Sequence, residues 1–134
     1  MKGIDIAARA CALAGTRFRP QGRHPNQGLD CVGTVAFACG IPSDRVPRDY
    51  TLRSQARPEI ERRLRALGCR RVDGRVLKLG DIALCETGPA QFHLAVITPF
   101  GFVHADAALR RVVERPCPIP WPLVSTWRLA EEEF

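Results

Sequence analysis

A cysteine nucleophile needs a sulfur, something to lower its pKa, a base, and a group that orients the base. Cys31 stands where a polar, glycine-rich loop, GTRFRPQGRHPNQGLD, meets the apolar run CVGTVAFAC. If that run is a helix, Cys31 lies at its N-terminus, where the dipole and free backbone N–H groups favour a thiolate or an oxyanion. Asp30 is placed to cap the helix, and Gly33 lets another backbone or a substrate approach closely. Loop, Asp, Cys and helix together are a weak signal on their own. His93 strengthens it. It sits in FHLAVIT, an alternating pattern with Phe92, Leu94 and Val96 on one face. His104 follows in FVHAD, beyond Thr98-Pro99-Phe100-Gly101.

Register decides whether the histidines meet. If Thr98 and Gly101 stand opposite one another, His93, Ala95, Phe102, His104 and Asp106 share a face. His104 is then diagonal to His93, and Asp106 is directly across as an alternative orienter. A bulge at Gly101 would instead put the two imidazoles on opposite faces. Both registers are open to the sequence.

The elements that must carry these groups are legible in outline. Residues 4–14 read as a well-buried helix ended by Gly15. Residues 15–30 read as loop, and residues 31–39 as a short buried helix, with a strand as the alternative. Residues 42–57 are irregular and basic. PEIERRLRALG reads as a helix with Pro58 at its start, Gly68 just past its end, Ile60, Leu64 and Leu67 on one face, and a solvated face of Glu59–Arg63 and Glu61–Arg65 pairs. From residue 75 the runs RVLKLGDIALCE, HLAVIT, GFVHA and LRRVVE read as strands. The proline-rich PCPIPWP cannot enter a central strand, so it wraps the surface before a last strand near Leu123 to Leu129; the closing EEE is tail. Helices first and antiparallel strands after define an α+β class. With 134 residues, a single domain spanning 1–134 is expected. Trp121 and Trp127 read as packing anchors, Cys39 as core, and Asp81 as a turn residue.

Composition bounds the function. Hydrophobic residues make up 46% and charged residues 25%, as in globular proteins. No apolar run reaches the roughly 18 residues of a membrane span, so no membrane insertion is expected. Asp5 and Arg9 interrupt what would be a signal-peptide core, which points to synthesis in the cytoplasm. The net charge is +6, carried almost wholly by arginine, since Lys2 and Lys78 are the only lysines. That suits an anionic polymer, but no nucleic-acid motif accompanies it and no nucleic acid is expected as partner. The six cysteines form no CxxC pair and most lie in apolar stretches, so they read as free thiols. No metal and no cofactor is expected.

The ordered set GTRFRPQGRHPNQGLDCVG, GDIAL and HLAVITPFGFVHA resembles the NlpC/P60 family of cysteine peptidases over roughly residues 8–114. The small size and D-C-V-G at the nucleophile are similar to the phage-tail and gene-transfer-agent branch. The resemblance implies a papain-like α+β fold, with the nucleophile at the start of a central helix packed on a C-terminal antiparallel sheet. It implies Cys31 as nucleophile, His93 as base and His104 as the residue that fixes the His93 tautomer. Asp30 would help recognise substrate, alongside Phe18, Val32 and Gly33. The implied substrate is the stem peptide of peptidoglycan, cut between D-γ-glutamate and diaminopimelate. The branch adds tail hub or tail-fibre proteins as partners and action at the cell wall from a phage-like particle. Three positions depart from the family pattern: Phe18 replaces a Tyr, Val32 replaces a Ser, and Gln21-Gly22 replaces Gly-Gly. Arg17, Arg19, Arg23 and His24 read as solvated loop charges that could replace lost contacts. A catalytically weak tail adaptor, and a thiol amidase or acyltransferase on another substrate, are the alternatives.

Overall fold

The computed structural model describes residues 1–46, 48, 56–73 and 76–130. The tail at 131–133 and residues 47 and 49–55 of the basic segment 42–57 fall outside these. Helix α1 (Gly3–Ala12) is followed by the short strands β1 (Arg23–His24) and β2 (Gly28–Leu29), helix α2 (Cys31–Ala38), a 3-10 turn (Ser43–Arg45) and helix α3 (Arg57–Ala66). Among the described residues six strands follow: β3 (Cys69–Val72), β4 (Ile82–Gly88), β5 (Gln91–Ile97), β6 (Gly101–Asp106), β7 (Arg111–Pro116) and β8 (Leu123–Leu129). They form one antiparallel sheet in the order β3-β8-β4-β5-β6-β7. This is the α+β architecture expected.

Helix α2 is apolar on every side, and Cys31, Gly33, Thr34, Val35, Ala36 and Ala38 are all buried. A helix of this kind must sit inside the protein. It packs on α1 and on strands β5 and β6. Its last carbonyls are answered from α1: Arg9 donates from Nη2 to the Phe37 oxygen at 2.8 Å and from Nε to that of Ala38 at 3.2 Å. Helix α1 itself is less enclosed than its composition suggested. Ile6, Ala7 and Ala10 are buried, whereas Ile4 is exposed.

The helices cover one face of the sheet, through Ile82, Leu84, Leu94, Val96, Val103 and Val112. By strand alternation, Ala83, Cys85, Ala95, Ile97 and Phe102 form a second apolar cluster on the opposite face. That face is closed by the proline-rich strap between β7 and β8. The strap must cross back over the sheet because β8 pairs with β3 and β4, not with β7. Ile119 and Trp121 pack on the second cluster.

Several local expectations are corrected. The loop 15–30 contains the β1–β2 pairing, and Phe18 bridges to Leu29. Strand β3 lies where no strand is expected, and of the run expected as strand from residue 75, which itself lies outside the described residues, 76–81 are not strand and β4 begins at Ile82. Glu61 is buried rather than solvated: its Oε2 accepts from Ser125 Oγ at 2.9 Å, and Ser125 Oγ accepts from Trp127 Nε1 at 2.8 Å. Arg65 lies over the Trp127 ring. Asp81 serves a turn, accepting from Lys78 N at 2.8 Å, and is also a buried anchor for Arg128, whose Nε donates to it at 2.7 Å.

Candidate active site

Strands β5 and β6 settle the register. Val96 pairs with Val103 and Ile97 with Phe102, and Thr98 N donates to the Gly101 oxygen at 3.0 Å. Pro99 and Phe100 alone make the turn, without a bulge. His93 and His104 therefore share a face and sit diagonally. His93 Nε2 and His104 Nδ1 are 2.8 Å apart, with the rings nearly perpendicular at 89°. The β5–β6 pairing ends at Val96 and Val103, short of both histidines. Helix α2 packs on both strands, and its first residue brings the sulfur of Cys31 beside the backbone N–H of Leu94.

Asp30 sets the start of α2. One carboxylate oxygen accepts from Gly33 N at 2.8 Å as the helix cap, and the other accepts from Gln21 N at 2.8 Å. Arg23 Nη1 donates to the same carboxylate at 3.1 Å and is itself buried, so it is not the solvated charge expected. Gly33 is required here. An added Cβ would lie 2.0 Å from the Gly22 carbonyl oxygen. The close approach is thus one of backbone to backbone.

Cys31, His93, His104, Asp30 and Phe18 line one cleft of about 600 Å³. Asp106 and Gln91 border it as well. Val32 and Gly33 do not line it: Val32 packs, half-buried, against the core, and Gly33 meets Gly22. Trp121 is the residue that the sequence reading missed. It packs on the second cluster as an anchor should, but it also borders the cleft and meets both imidazoles in T-shaped contacts. Trp127, by contrast, is fully buried core. His24 is exposed and bonds locally through Nδ1 to Asn26 N at 3.2 Å.

The electrostatics describe a neutral pair at rest. Burial, aided by the nearby His104, lowers the pKa of His93 to about 4, against an upward pull from Asp106. Burial also lowers that of His104, with Asp106 opposing and Arg115 assisting. Burial pushes the Cys31 thiol up, and the charge of Asp30 adds to this; the amides of Leu94, Val32 and Cys31 pull the other way. Near neutral pH the cleft therefore holds an uncharged imidazole and a protonated thiol. With Nε2 of His93 engaged by His104, Nδ1 is the nitrogen left to take a proton. Among the described residues, no cluster of three or more His, Cys, Asp or Glu is arranged to hold a metal ion.

No protein-family model matches the chain, and no curated protein matches its sequence. Among solved structures, the fold is similar to the crystal structure of the NlpC/p60 domain of the peptidoglycan hydrolase SagA, with a TM-score of 0.54 and 22% identity. The match covers 84% of this chain and 86% of the other. The architecture is thus that of an NlpC/p60 domain.

Proposed function

We propose that the chain is a peptidoglycan hydrolase of the NlpC/P60 type, a cysteine endopeptidase working through Cys31, His93 and His104. One observation carries the reading: a bonded pair of histidines opens on the same cleft as a cysteine at a helix N-terminus. The kinship of the fold with the domain of a peptidoglycan hydrolase supplies the substrate class.

In the proposed reaction, Cys31 Sγ attacks the carbonyl carbon of a stem-peptide amide while its proton passes to His93 Nδ1. The oxyanion of the tetrahedral intermediate faces the backbone N–H of Cys31 at the start of α2. Collapse breaks the C–N bond, and the leaving amine takes the proton from His93. Water then attacks the thioester, giving its proton to His93, and the acid departs as the thiol is restored. His104 holds the His93 ring throughout. The amide between D-γ-glutamate and diaminopimelate is the proposed bond, and a phage-like tail the proposed carrier.

Digestion of purified diaminopimelate-type walls tests this. Mass spectrometry should find a new glutamyl carboxylate and a new diaminopimelate amine with the wild type, and neither with Cys31→Ala. Equal release by Cys31→Ala, or no new termini with either, would overturn it.

A further inference from the structure

The imidazole pair ends on a polar atom that nothing conventional answers. His104 is 2% exposed, its Nδ1 is held by His93, and its Nε2 is buried with no hydrogen-bond partner among the described residues. The chemistry of the pair decides what that atom must be. For Nδ1 of His93 to accept a proton, the ring proton of His93 must sit on Nε2. His104 Nδ1 is then the acceptor, and the neutral His104 ring carries its own proton on Nε2. In the opposite tautomer, His104 donates from Nδ1, a bare lone pair points out from its Nε2, and His93 cannot act as a base.

Trp121 lies against both rings of the pair. Its ring centroid is 5.2 Å from that of His104 at 69°, and 5.5 Å from that of His93 at 79°, both T-shaped. The face of an aromatic ring is the negative pole of its quadrupole, so it attracts an N–H and repels a lone pair. Phe102 also flanks His104, at 5.4 Å, but its 40° tilt does not set edge against face. Arg115 of β7 lies 5.8 Å from the Trp121 ring centre, and its charge opposes protonation of His104, while Asp106 of β6 favours it.

We propose that the face of Trp121 receives the Nε2–H of His104 and so selects, through the His104–His93 bond, the tautomer in which His93 Nδ1 is a base. Trp121 is then a positioning residue that acts on Cys31 through two imidazoles. The catalytic consequence rests on the peptidase reading above; the tautomer does not. The proline-rich strap thereby becomes part of the site, since it delivers the indole across the sheet.

The test is long-range ¹H–¹⁵N correlation on the full chain labelled at histidine. In the wild type, His104 should carry its proton on Nε2, with that proton shifted upfield by the indole ring current, and His93 should carry its own on Nε2. Trp121→Leu should mix or reverse the tautomers, raise the titration of His93 from about 4 toward the ordinary 6.5, and lower kcat by about tenfold. Trp121→Phe, which keeps a ring face, should recover the wild-type tautomer and also serves if Trp121→Leu does not fold. A wild-type His104 protonated on Nδ1 would overturn the proposal. So would an unchanged tautomer and titration in a folded Trp121→Leu protein. An Nε2–H tautomer in a protein that cuts no wall would count against the peptidase reading and leave the role of Trp121 standing.

Discussion

Arg23 forms an ion pair at 3.1 Å with Asp30, the residue before Cys31, and the guanidinium side chain is almost wholly shielded from water. The same carboxylate caps α2 through Gly33 and holds the loop through Gln21. Removing one member of a buried pair leaves the other desolvated, so Asp30→Ala should cost about 3–5 kcal/mol. Asp30→Asn keeps acceptor oxygen for the cap and should cost less, about 1–3 kcal/mol. Urea unfolding of the two variants against the wild type measures both, and equal stability of Asp30→Ala and wild type would contradict the pairing.

His93 gives the protein a pH dependence of definite sign. Unfolded, it takes up a proton near 6.5; folded, only near 4. Between those values the unfolded chain binds more protons, so stability rises with pH across the window, is complete above its upper edge and is lost toward its lower one. The span is at most about 3 kcal/mol, reduced by water in the cleft. His104, also shifted down, adds in the same direction. Denaturant midpoints should fall as the pH is lowered through this range, and His93→Asn should flatten the curve. The acid limb of kcat/KM should lie near pH 4, where His93 ceases to be a base.

Cys31 should behave as a thiol at rest. Burial, then Asp30, hold its proton on. Cys117 is the exposed cysteine, so iodoacetamide at about pH 6 should label Cys117 before Cys31. Peptide mapping of brief reactions reads the order. Faster labelling of Cys31 would mean a preformed thiolate–imidazolium pair.

The departures from the family pattern at Phe18 and Val32 should not weigh equally. Phe18 borders the cleft, whereas Val32 packs against the core. Phe18→Tyr adds a hydroxyl to the cleft wall and, on the proposed reading, should raise kcat/KM by about two- to tenfold, the worth of one hydrogen bond. Val32→Ser should leave kcat/KM unchanged and lower stability instead, because it places a hydroxyl in an apolar contact. Steady-state assays on a stem-peptide substrate, with thermal melts, separate the two effects.

Much of the site was legible because its signals are local. Asp30 before an apolar run announces a capped helix, and Gly68 ends α3 with a φ of +96°, as a C′ glycine should. The Thr98–Gly101 stretch limited the hairpin to two registers, of which one was found. What escaped depends on distant partners. Arg70 and Arg71 give β3 no apolar alternation, and it becomes a strand by pairing with β8 far along the chain. Strands β1 and β2 are each too short to show a period. Glu61 looked like half of a helix-surface pair, but Ser125 of β8 drew it inward. Trp121 joins the site only because β8 inserts between β3 and β4 and the strap must recross the sheet, a matter of topology that no local pattern carries.

The central assignment, a sulfur from the front half of the chain serving two imidazoles from the rear hairpin, is tested most directly by acid-quenching the protein during turnover of a stem-peptide substrate and locating the acyl group. Of the six cysteines, Cys31 alone should carry a glutamyl thioester, and the adduct should vanish in His93→Ala. Acylation of another cysteine, or steady turnover in Cys31→Ala, would contradict it.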